Sequence, residues 1–182
     1  MSVALQQRKA FQQYCLVAVL SHLFQVVAGN IEYQLLKFIP DVEFVVYDKK
    51  AGKQARKEVK KAVENTNFDA LFIMQLALRA NWLSTVIKAK RRIGFDYDRS
   101  KEGHSIFTNE NVAPHANAHV LEGFMDFAET LGIPPLTTPS WNFQIPQDDL
   151  DWVAAELPDN YAVISPAASK EERNWLPERY AQ

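Results

Sequence analysis

The chain has 182 residues, of which 47% are hydrophobic and 23% charged, and its formal net charge is −2. This composition is typical of a soluble globular domain and excludes a disordered chain. The near balance of charge gives no general attraction to nucleic acid, so we expect no nucleic-acid partner. The single cysteine, Cys15, lies in an apolar run, and we expect a buried, inert thiol.

The N-terminal region contains an apolar run, residues 11–28, that raises the question of a membrane or secretory segment. Five polar residues interrupt the run, and it falls short of the ~20 apolar residues that span a bilayer. Arg8 and Lys9 precede it, but no small-residue cleavage motif follows it. We therefore expect a divergent N-terminal segment over residues 1–30 in a cytoplasmic protein.

Short apolar runs alternate with stretches of helical periodicity from residue 42 onward. The predicted strands are Val42–Tyr47, Asp69–Met74 and Arg92–Phe95, and the predicted helices cover residues 52–64, 76–88 and 119–131. Alternation of this kind predicts an α/β fold with a parallel sheet covered by helices. One lobe is expected over residues 31–135.

The C-terminal region has a different character. Four prolines between residues 132 and 146 indicate a linker. An acidic helix is predicted over residues 147–157, a strand over Tyr161–Ser165, and the beginning of a helix near Pro177. We therefore expect a linker and helix over residues 136–160 and the start of a second lobe over residues 161–182.

Three stretches together resemble glycosyltransferase family 9, the ADP-heptose:lipopolysaccharide heptosyltransferases. They begin at Asn67 (NFDALFIMQLALRANWLSTVIKAKRRIGFD), at Phe107 (FTNENVAPHANAHVLEGFMDFAETLGI) and at Tyr161 (YAVISPAASKEERNWLPERYAQ). The first resembles a strand that ends near a glutamine and runs on to a basic turn into I-G-F. The second resembles the segment that leads into an H-V-L-[DE]-G helix. The third resembles the first strand and loop of the family's nucleotide-sugar lobe.

The resemblance implies the GT-B fold, in which two Rossmann-like lobes face each other across a cleft. This chain would supply the acceptor-binding lobe and only the start of the second lobe. The implied activity is inverting transfer of heptose from ADP-heptose to the lipopolysaccharide inner core. The partners would be a sugar nucleotide and a lipopolysaccharide acceptor, and no cofactor is expected.

Two departures from the family pattern bear on activity. The S-x-I-G-D loop, whose aspartate is the family's proposed general base, is absent, and no Gly-Asp pair occurs anywhere in the sequence. The D-x-G-x-x-H-type region that grips the nucleotide is also absent, so the catalytic residues are unknown. We expect a truncated or rearranged enzyme that is inactive alone. The alternatives are a non-catalytic saccharide- or anion-binding module and a damaged gene product.

Ser169, Lys170 and Arg173 follow the YAVIS run and precede the helix near Pro177. Loops at the carboxyl ends of strands hold ligands in open α/β sheets, and a helix N-terminus favours a diphosphate. The resemblance makes these residues the donor-phosphate site. A solvated loop is the alternative, because Glu171 and Glu172 partly cancel the positive charge.

Gln75 and Arg79 come just after the DALFIM strand, where they could bind sugar hydroxyls or phosphate of the acceptor. Arg92 is a third candidate for acceptor binding. Its neighbour Arg91 would point to the opposite face of the strand, so at most one of the two contacts the acceptor. The alternatives are a capping glutamine and a surface arginine.

A cationic run occupies the helix predicted over residues 52–64 and the turn before it. It contains Lys49, Lys50, Lys53, Arg56, Lys57, Lys60 and Lys61. Such a face could rest on an anionic membrane, although a solvated helix face is the commoner explanation. His115 and His119 have H-x-x-x-H spacing without further ligands, so we expect no metal site and a helix-capping role for His119.

Overall fold

The computed structural model of the chain describes residues 16–20, 23–115, 119–134, 144–164 and 174–180. These residues form strands β1 (Leu16–Leu20), β2 (Leu23–Ala28), β3 (Val42–Val46), β4 (Asn67–Ile73), β5 (Lys88–Gly94) and β6 (Glu110–Asn111). They also form helices α1 (Asn30–Leu36), α2 (Lys53–Val63), α3 (Leu78–Ser84), α4 (Val120–Thr130), α5 (Gln147–Glu156) and α6 (Pro177–Tyr180). None of these helices combines the length and apolar character of a membrane span.

The strands form one sheet in the order β3-β2-β1-β4-β5-β6. The pairs β2–β3, β4–β5 and β5–β6 are parallel, whereas β1 is antiparallel to both β2 and β4. The predicted strands β3, β4 and β5 run parallel to one another, as expected, and β1, which was not predicted, runs against them. Only two residues separate Leu20 from Leu23, and so short a connection closes a hairpin, because a parallel pair needs a crossover of about a dozen residues.

The reversal of β1 changes what lies at each edge of the sheet. Strands β2 to β6 all end at one edge, which we call the carboxyl edge, whereas β1 begins there and ends at the opposite edge. Strands β1 and β2 also occupy central positions in the sheet. The boundary expected at residue 30 is therefore wrong, since the sheet already begins at Leu16.

Helices cover both faces of the sheet, as the continuous apolar run in β4 predicted. On one face, Leu71 and Ile73 of β4 pack in a cluster with Val59 of α2 and Leu83 of α3. On the other face, a second cluster contains Phe127 of α4 and the residues Phe72, Met74, Ile93 and Val112. The two clusters hold α3 and α4 on opposite faces of β4.

The C-terminal region differs from its prediction at one point. Helix α5 confirms the predicted acidic helix, but the strand expected over Tyr161–Ser165 is wrong over residues 161–164, which have no regular structure and are exposed. An extended segment becomes a strand only beside a hydrogen-bonded neighbour. No strand in the described part of the chain pairs with it, and Ser165 lies outside the described residues.

Candidate functional site

A cleft of about 630 Å³ opens at the carboxyl edge of the sheet. Residues 74–76 after β4 line one side, Phe95, Asp98, Arg99 and Lys101 after β5 line the second, and the start of α4 lines the third. Ligands of open α/β sheets bind at this edge. The position of the cleft therefore makes it the candidate substrate site.

Gln75 lines the cleft, where sequence reasoning placed an acceptor-binding side chain. Its Oε1 accepts a hydrogen bond from the Leu76 backbone N–H at 3.1 Å. Arg79 is exposed in the first turn of α3 and is not among the residues that line the cleft. Of these two residues, the structure brings only Gln75 to the wall of the cleft.

Arg92 lies with its guanidinium inside the fold. Nη2 donates to Ser84 Oγ at 2.7 Å, and Nε donates to the Phe107 carbonyl at 2.8 Å. Burial lowers the pKa of Arg92. Arg91 points to the other face and pairs with Glu110 at 2.6 Å. The two arginines thus diverge as predicted, and the contacts of Arg92 join α3 to the segment after β5.

One arginine joins two walls of the cleft. Arg99 Nε binds the Asp96 carboxylate, Nη1 binds Asp126 Oδ2 at 3.0 Å, and Nη2 donates to the Ala113 carbonyl at 3.0 Å. We call this set of contacts the Arg99 clasp. Because Asp126 belongs to α4 and Asp96 to the segment after β5, the clasp sets the width of the cleft between them.

The negative charge of Asp96, whose side chain is only 6% exposed, is balanced by the positive charge of Arg99. Burial raises the pKa of this carboxyl, but hydrogen bonds and the positive charge from Arg99 outweigh burial, and its pKa lies below the ordinary value. Gly123 of α4 gives the guanidinium room, since a Cβ there would lie 3.0 Å from Arg99 Nη1. The glycine of the H-V-L-E-G segment therefore has a packing role.

A buried histidine contacts the segment after β5 directly and the segment after β4 through Asn81. His104 is 1% exposed, its Nδ1 lies 2.8 Å from Asn81 Oδ1, and its Nε2 accepts from the Phe95 N–H at 3.2 Å. These contacts require a neutral ring with the proton on Nδ1, and burial lowers the pKa of His104 accordingly. Asn81 Nδ2 donates in turn to the Leu76 carbonyl at 3.4 Å. We call this chain of contacts the His104 relay.

The glycine of the I-G-F turn is explained by the same histidine. A Cβ on Gly94 would lie 2.4 Å from His104 Nε2 and 2.4 Å from Thr108 Cγ2. Real Cβ atoms do not approach other atoms so closely, so a side chain at this position would push the imidazole away from the Phe95 N–H. Gly94 thus allows the relay to pack directly against the end of β5.

His119 caps α4, as predicted. Its Nδ1 accepts from the Leu121 N–H at 3.2 Å, and Glu122 Oε2 accepts from the His119 N–H at 2.7 Å, which completes a capping box. His115 Nδ1 contacts Asp126 Oδ1 at 3.1 Å. Within the described ranges, no three His, Cys, Asp or Glu side chains are grouped as metal ligands would be.

Sequence reasoning missed several residues of the cleft. Asp98 and Lys101 are exposed at its rim, and Arg99 lines it. The rule that ligands bind at the carboxyl ends of strands predicted Gln75, and it could also have predicted these residues, because residues 95–101 follow a parallel strand. The predicted donor-phosphate residues Ser169, Lys170 and Arg173 lie outside the described residues.

Comparisons with known proteins agree on one family. Residues 56–182 match glycosyltransferase family 9 (heptosyltransferase). The lipopolysaccharide core heptosyltransferase OpsX of Haemophilus influenzae is 41% identical over 158 residues, which cover 86% of this chain and 45% of OpsX. The chain thus spans less than half the length of this curated relative.

Solved structures show the same fold. The E. coli heptosyltransferase WaaC with ADP matches with a TM-score of 0.64 and 20% identity, over 85% of this chain and 51% of WaaC. A glycosyltransferase of family 9 from Veillonella parvula matches with a TM-score of 0.66 and 18% identity, over 86% of this chain and 48% of that protein. Because the family match covers well over half of the chain, the protein belongs to glycosyltransferase family 9, the heptosyltransferases, as its three ordered segments predicted.

Proposed function

We propose that this chain forms the acceptor-binding lobe of an enzyme that transfers heptose from ADP-heptose to the lipopolysaccharide inner core. The observation that carries the proposal is the cleft at the carboxyl edge, with Gln75 in its wall. The 41% identity to a lipopolysaccharide core heptosyltransferase supports this substrate class.

The proposed reaction needs groups that hold two ligands. Gln75 has an amide that can donate to and accept from sugar hydroxyls, and we propose the exposed Arg79 as a further acceptor-binding residue. We do not propose Arg92 for this role, because its guanidinium bonds to Ser84 and Phe107 inside the fold. For the donor we propose Ser169, Lys170 and Arg173 as the diphosphate site. The acceptor hydroxyl would displace ADP at the anomeric carbon with inversion, and the cations would offset the charge on the departing diphosphate.

Calorimetric titration with lipopolysaccharide inner-core oligosaccharide tests the acceptor role. We expect saturable binding that weakens by about tenfold in Gln75→Ala, because a lost hydrogen bond at a ligand costs ~1–1.5 kcal/mol. Gln147→Ala is the matched control, since Gln147 is an exposed glutamine on α5, outside the residues that line the cleft. Absence of saccharide binding, or equal weakening in both variants, would contradict the acceptor role.

A transfer assay separates an enzyme from a binding module. The family's proposed base belongs to the loop after the first strand, but here β1 ends at the edge of the sheet opposite the cleft. We therefore expect negligible transfer from ADP-heptose to a heptose-deficient acceptor. The reversed direction of β1 favours the second candidate function, a non-catalytic saccharide-binding module. Measurable ADP affinity would favour a surviving donor site. Robust turnover would contradict our expectation that the chain is inactive alone.

We further propose that the protein lies in the cytoplasm and contacts the inner face of the inner membrane, where a lipopolysaccharide precursor would be anchored. The support is the cationic run in and before α2. Its exposed members among the described residues are Lys49, Lys50, Lys53, Lys57, Lys60 and Lys61.

A further inference from the structure

Helix α3 presents two large apolar side chains to solvent beside the cationic run. Leu78 is 55% exposed and Trp82 is 58% exposed. Their i,i+4 spacing places them on one face of the helix. A single exposed tryptophan or leucine is ordinary. Two such side chains on one face of a short helix form an apolar patch, and apolar patches mark interaction sites.

Arg56 of α2 holds the indole at the surface. Its guanidinium carbon lies 5.0 Å from the centre of the Trp82 ring, and its Nη2 donates to Thr85 Oγ1 at 2.8 Å. The second contact fixes the guanidinium against the end of α3, so the indole stacks on an immobilised cation. The helices α2 and α3 therefore present a single surface at this point.

The outer face of α2 continues this surface with positive charge. Ala55, Val59 and Val63 are buried against the sheet. The exposed lysines have the spacing i, i+4, i+7 and i+8, which defines one helical stripe. The stripe consists of Lys53, Lys57, Lys60 and Lys61. Glu58, the acidic residue within α2, accepts a hydrogen bond from Gln54 at 3.0 Å.

We propose that Leu78, Trp82 and this lysine stripe form a docking surface for an anionic lipid bilayer. The inference deepens the proposed membrane contact, on which it rests, by naming the apolar side chains that enter the lipid interface. Tryptophan prefers the headgroup region, where its apolar ring and its N–H are both accommodated. The lysines attract anionic headgroups, and their stems cover apolar surface while the charges stay in water.

The composition of the surface favours lipid over a protein partner. Lysine is depleted in the cores of protein–protein interfaces, where aromatic residues and arginine are enriched. Here four exposed lysines lie on the same helix as Arg56, which contacts Trp82, and such a combination of cationic and apolar side chains is typical of helices that lie on membranes. Charge complementarity therefore selects an anionic bilayer as the occupant.

Vesicle co-sedimentation of the whole chain tests the proposal. We expect binding to phosphatidylcholine vesicles that contain phosphatidylglycerol, weak binding to phosphatidylcholine alone, and loss of binding at high salt. The triple variant K57Q/K60Q/K61Q should lose about 100-fold in partitioning, since each surface lysine contributes ~5-fold. The double variant L78S/W82S should lose at least several-fold while it keeps the wild-type circular dichroism.

Trp152→Ser is the matched control, because Trp152 is 60% exposed but lies on the acidic helix α5. It should bind vesicles as the wild type does. Equal loss in W152S and L78S/W82S, or equal binding to neutral and anionic vesicles, would overturn the proposal. So would self-association of the wild type that L78S/W82S abolishes, because a second copy would then occupy the surface.

The vesicle experiment is independent of the proposed saccharide site. Calorimetry with soluble core oligosaccharide reports on the cleft, and vesicles without lipopolysaccharide report on the α2–α3 surface. Loss of saccharide binding in Gln75→Ala with unchanged vesicle binding would keep the two sites separate. Failure of vesicle binding alone would overturn this inference and leave the acceptor role standing.

Discussion

Replacement of Arg99 with methionine should lower the free energy of unfolding by about 3–5 kcal/mol, the range for breaking a buried ion pair. The variant keeps the volume of the side-chain stem but removes the cation that pairs with both carboxylates. The side chains of Asp96 and Asp126 are only 6% and 10% exposed, so water cannot replace the guanidinium at either one. Urea denaturation followed by tryptophan fluorescence would measure the loss.

Lys90→Ala is the control for Arg99→Met. Lys90 and Asp69 form an ion pair at 3.0 Å, but their side chains are 76% and 51% exposed, so we expect a change within ~0.5 kcal/mol. Adding Asp96→Asn and Asp126→Asn to Arg99→Met should recover part of the stability, because no buried charge then remains. A loss in Arg99→Met no larger than in Lys90→Ala would show that the clasp does not stabilise the fold.

The clasp also predicts how acid affects stability. The pKa of Asp96 in the folded chain lies below its ordinary value of 3.8, so the unfolded chain binds the proton more readily. Its contribution to stability is therefore complete above pH 3.8 and is lost as the pH falls through the folded pKa. In Arg99→Met the pKa of Asp96 should rise, because burial then outweighs the remaining hydrogen bonds, and the acid-induced loss of stability at this carboxyl should shrink or reverse.

Elements that depend on local sequence patterns were predicted, whereas contacts between residues far apart in the sequence were not. Helices α2 and α4 were predicted to within a few residues because their apolar periodicity is local. The cap at His119 was predicted for the same reason, since capping involves residues three apart. Strand β4 was also predicted, because a run buried on both faces needs no knowledge of its neighbours.

The direction of β1 was not predicted, although the sequence contains its cause. Residues 11–28 were interpreted as one apolar run in a divergent N-terminal segment, and no strand bounds were assigned to them. Strands β1 and β2 are separated by only two residues, which is too short for the crossover that a parallel pair needs. The polar residues Ser21 and His22, which interrupt the run, would have indicated a hairpin.

The cleft itself was predicted only in part. Gln75 follows a recognisable strand, so its place at the carboxyl edge could be inferred. The partners in the clasp and the relay are far apart in the sequence, with 27 residues from Arg99 to Asp126 and 23 from Asn81 to His104. No spacing rule connects such residues. Arg92 shows the same limit, because its burial depends on Phe107 and Ser84, which the fold brings to it.

Replacement of His104 with alanine should lower the free energy of unfolding by about 3–4 kcal/mol, from a ring-sized cavity and from lost hydrogen bonds in the interior. Asn81 Oδ1 and the Phe95 N–H would both lose their partner. Asn81 also bonds the Leu76 carbonyl, so the rim that carries Gln75 should loosen. We therefore expect weaker binding of core oligosaccharide in the calorimetric titration as well as lower stability.

The pH dependence of the free energy of unfolding distinguishes loss of the His104 hydrogen bonds from loss of packing alone. Because the folded-state pKa of His104 lies below the ordinary value of 6.5, the unfolded chain takes up a proton that the folded chain excludes. The stability contributed by the neutral ring is complete above pH 6.5 and falls as the pH drops toward the folded pKa. Urea denaturation of the wild type between pH 7.5 and pH 5 should show this loss, and His104→Ala should lack it. An unchanged slope in His104→Ala would show that the buried imidazole is not the group that titrates.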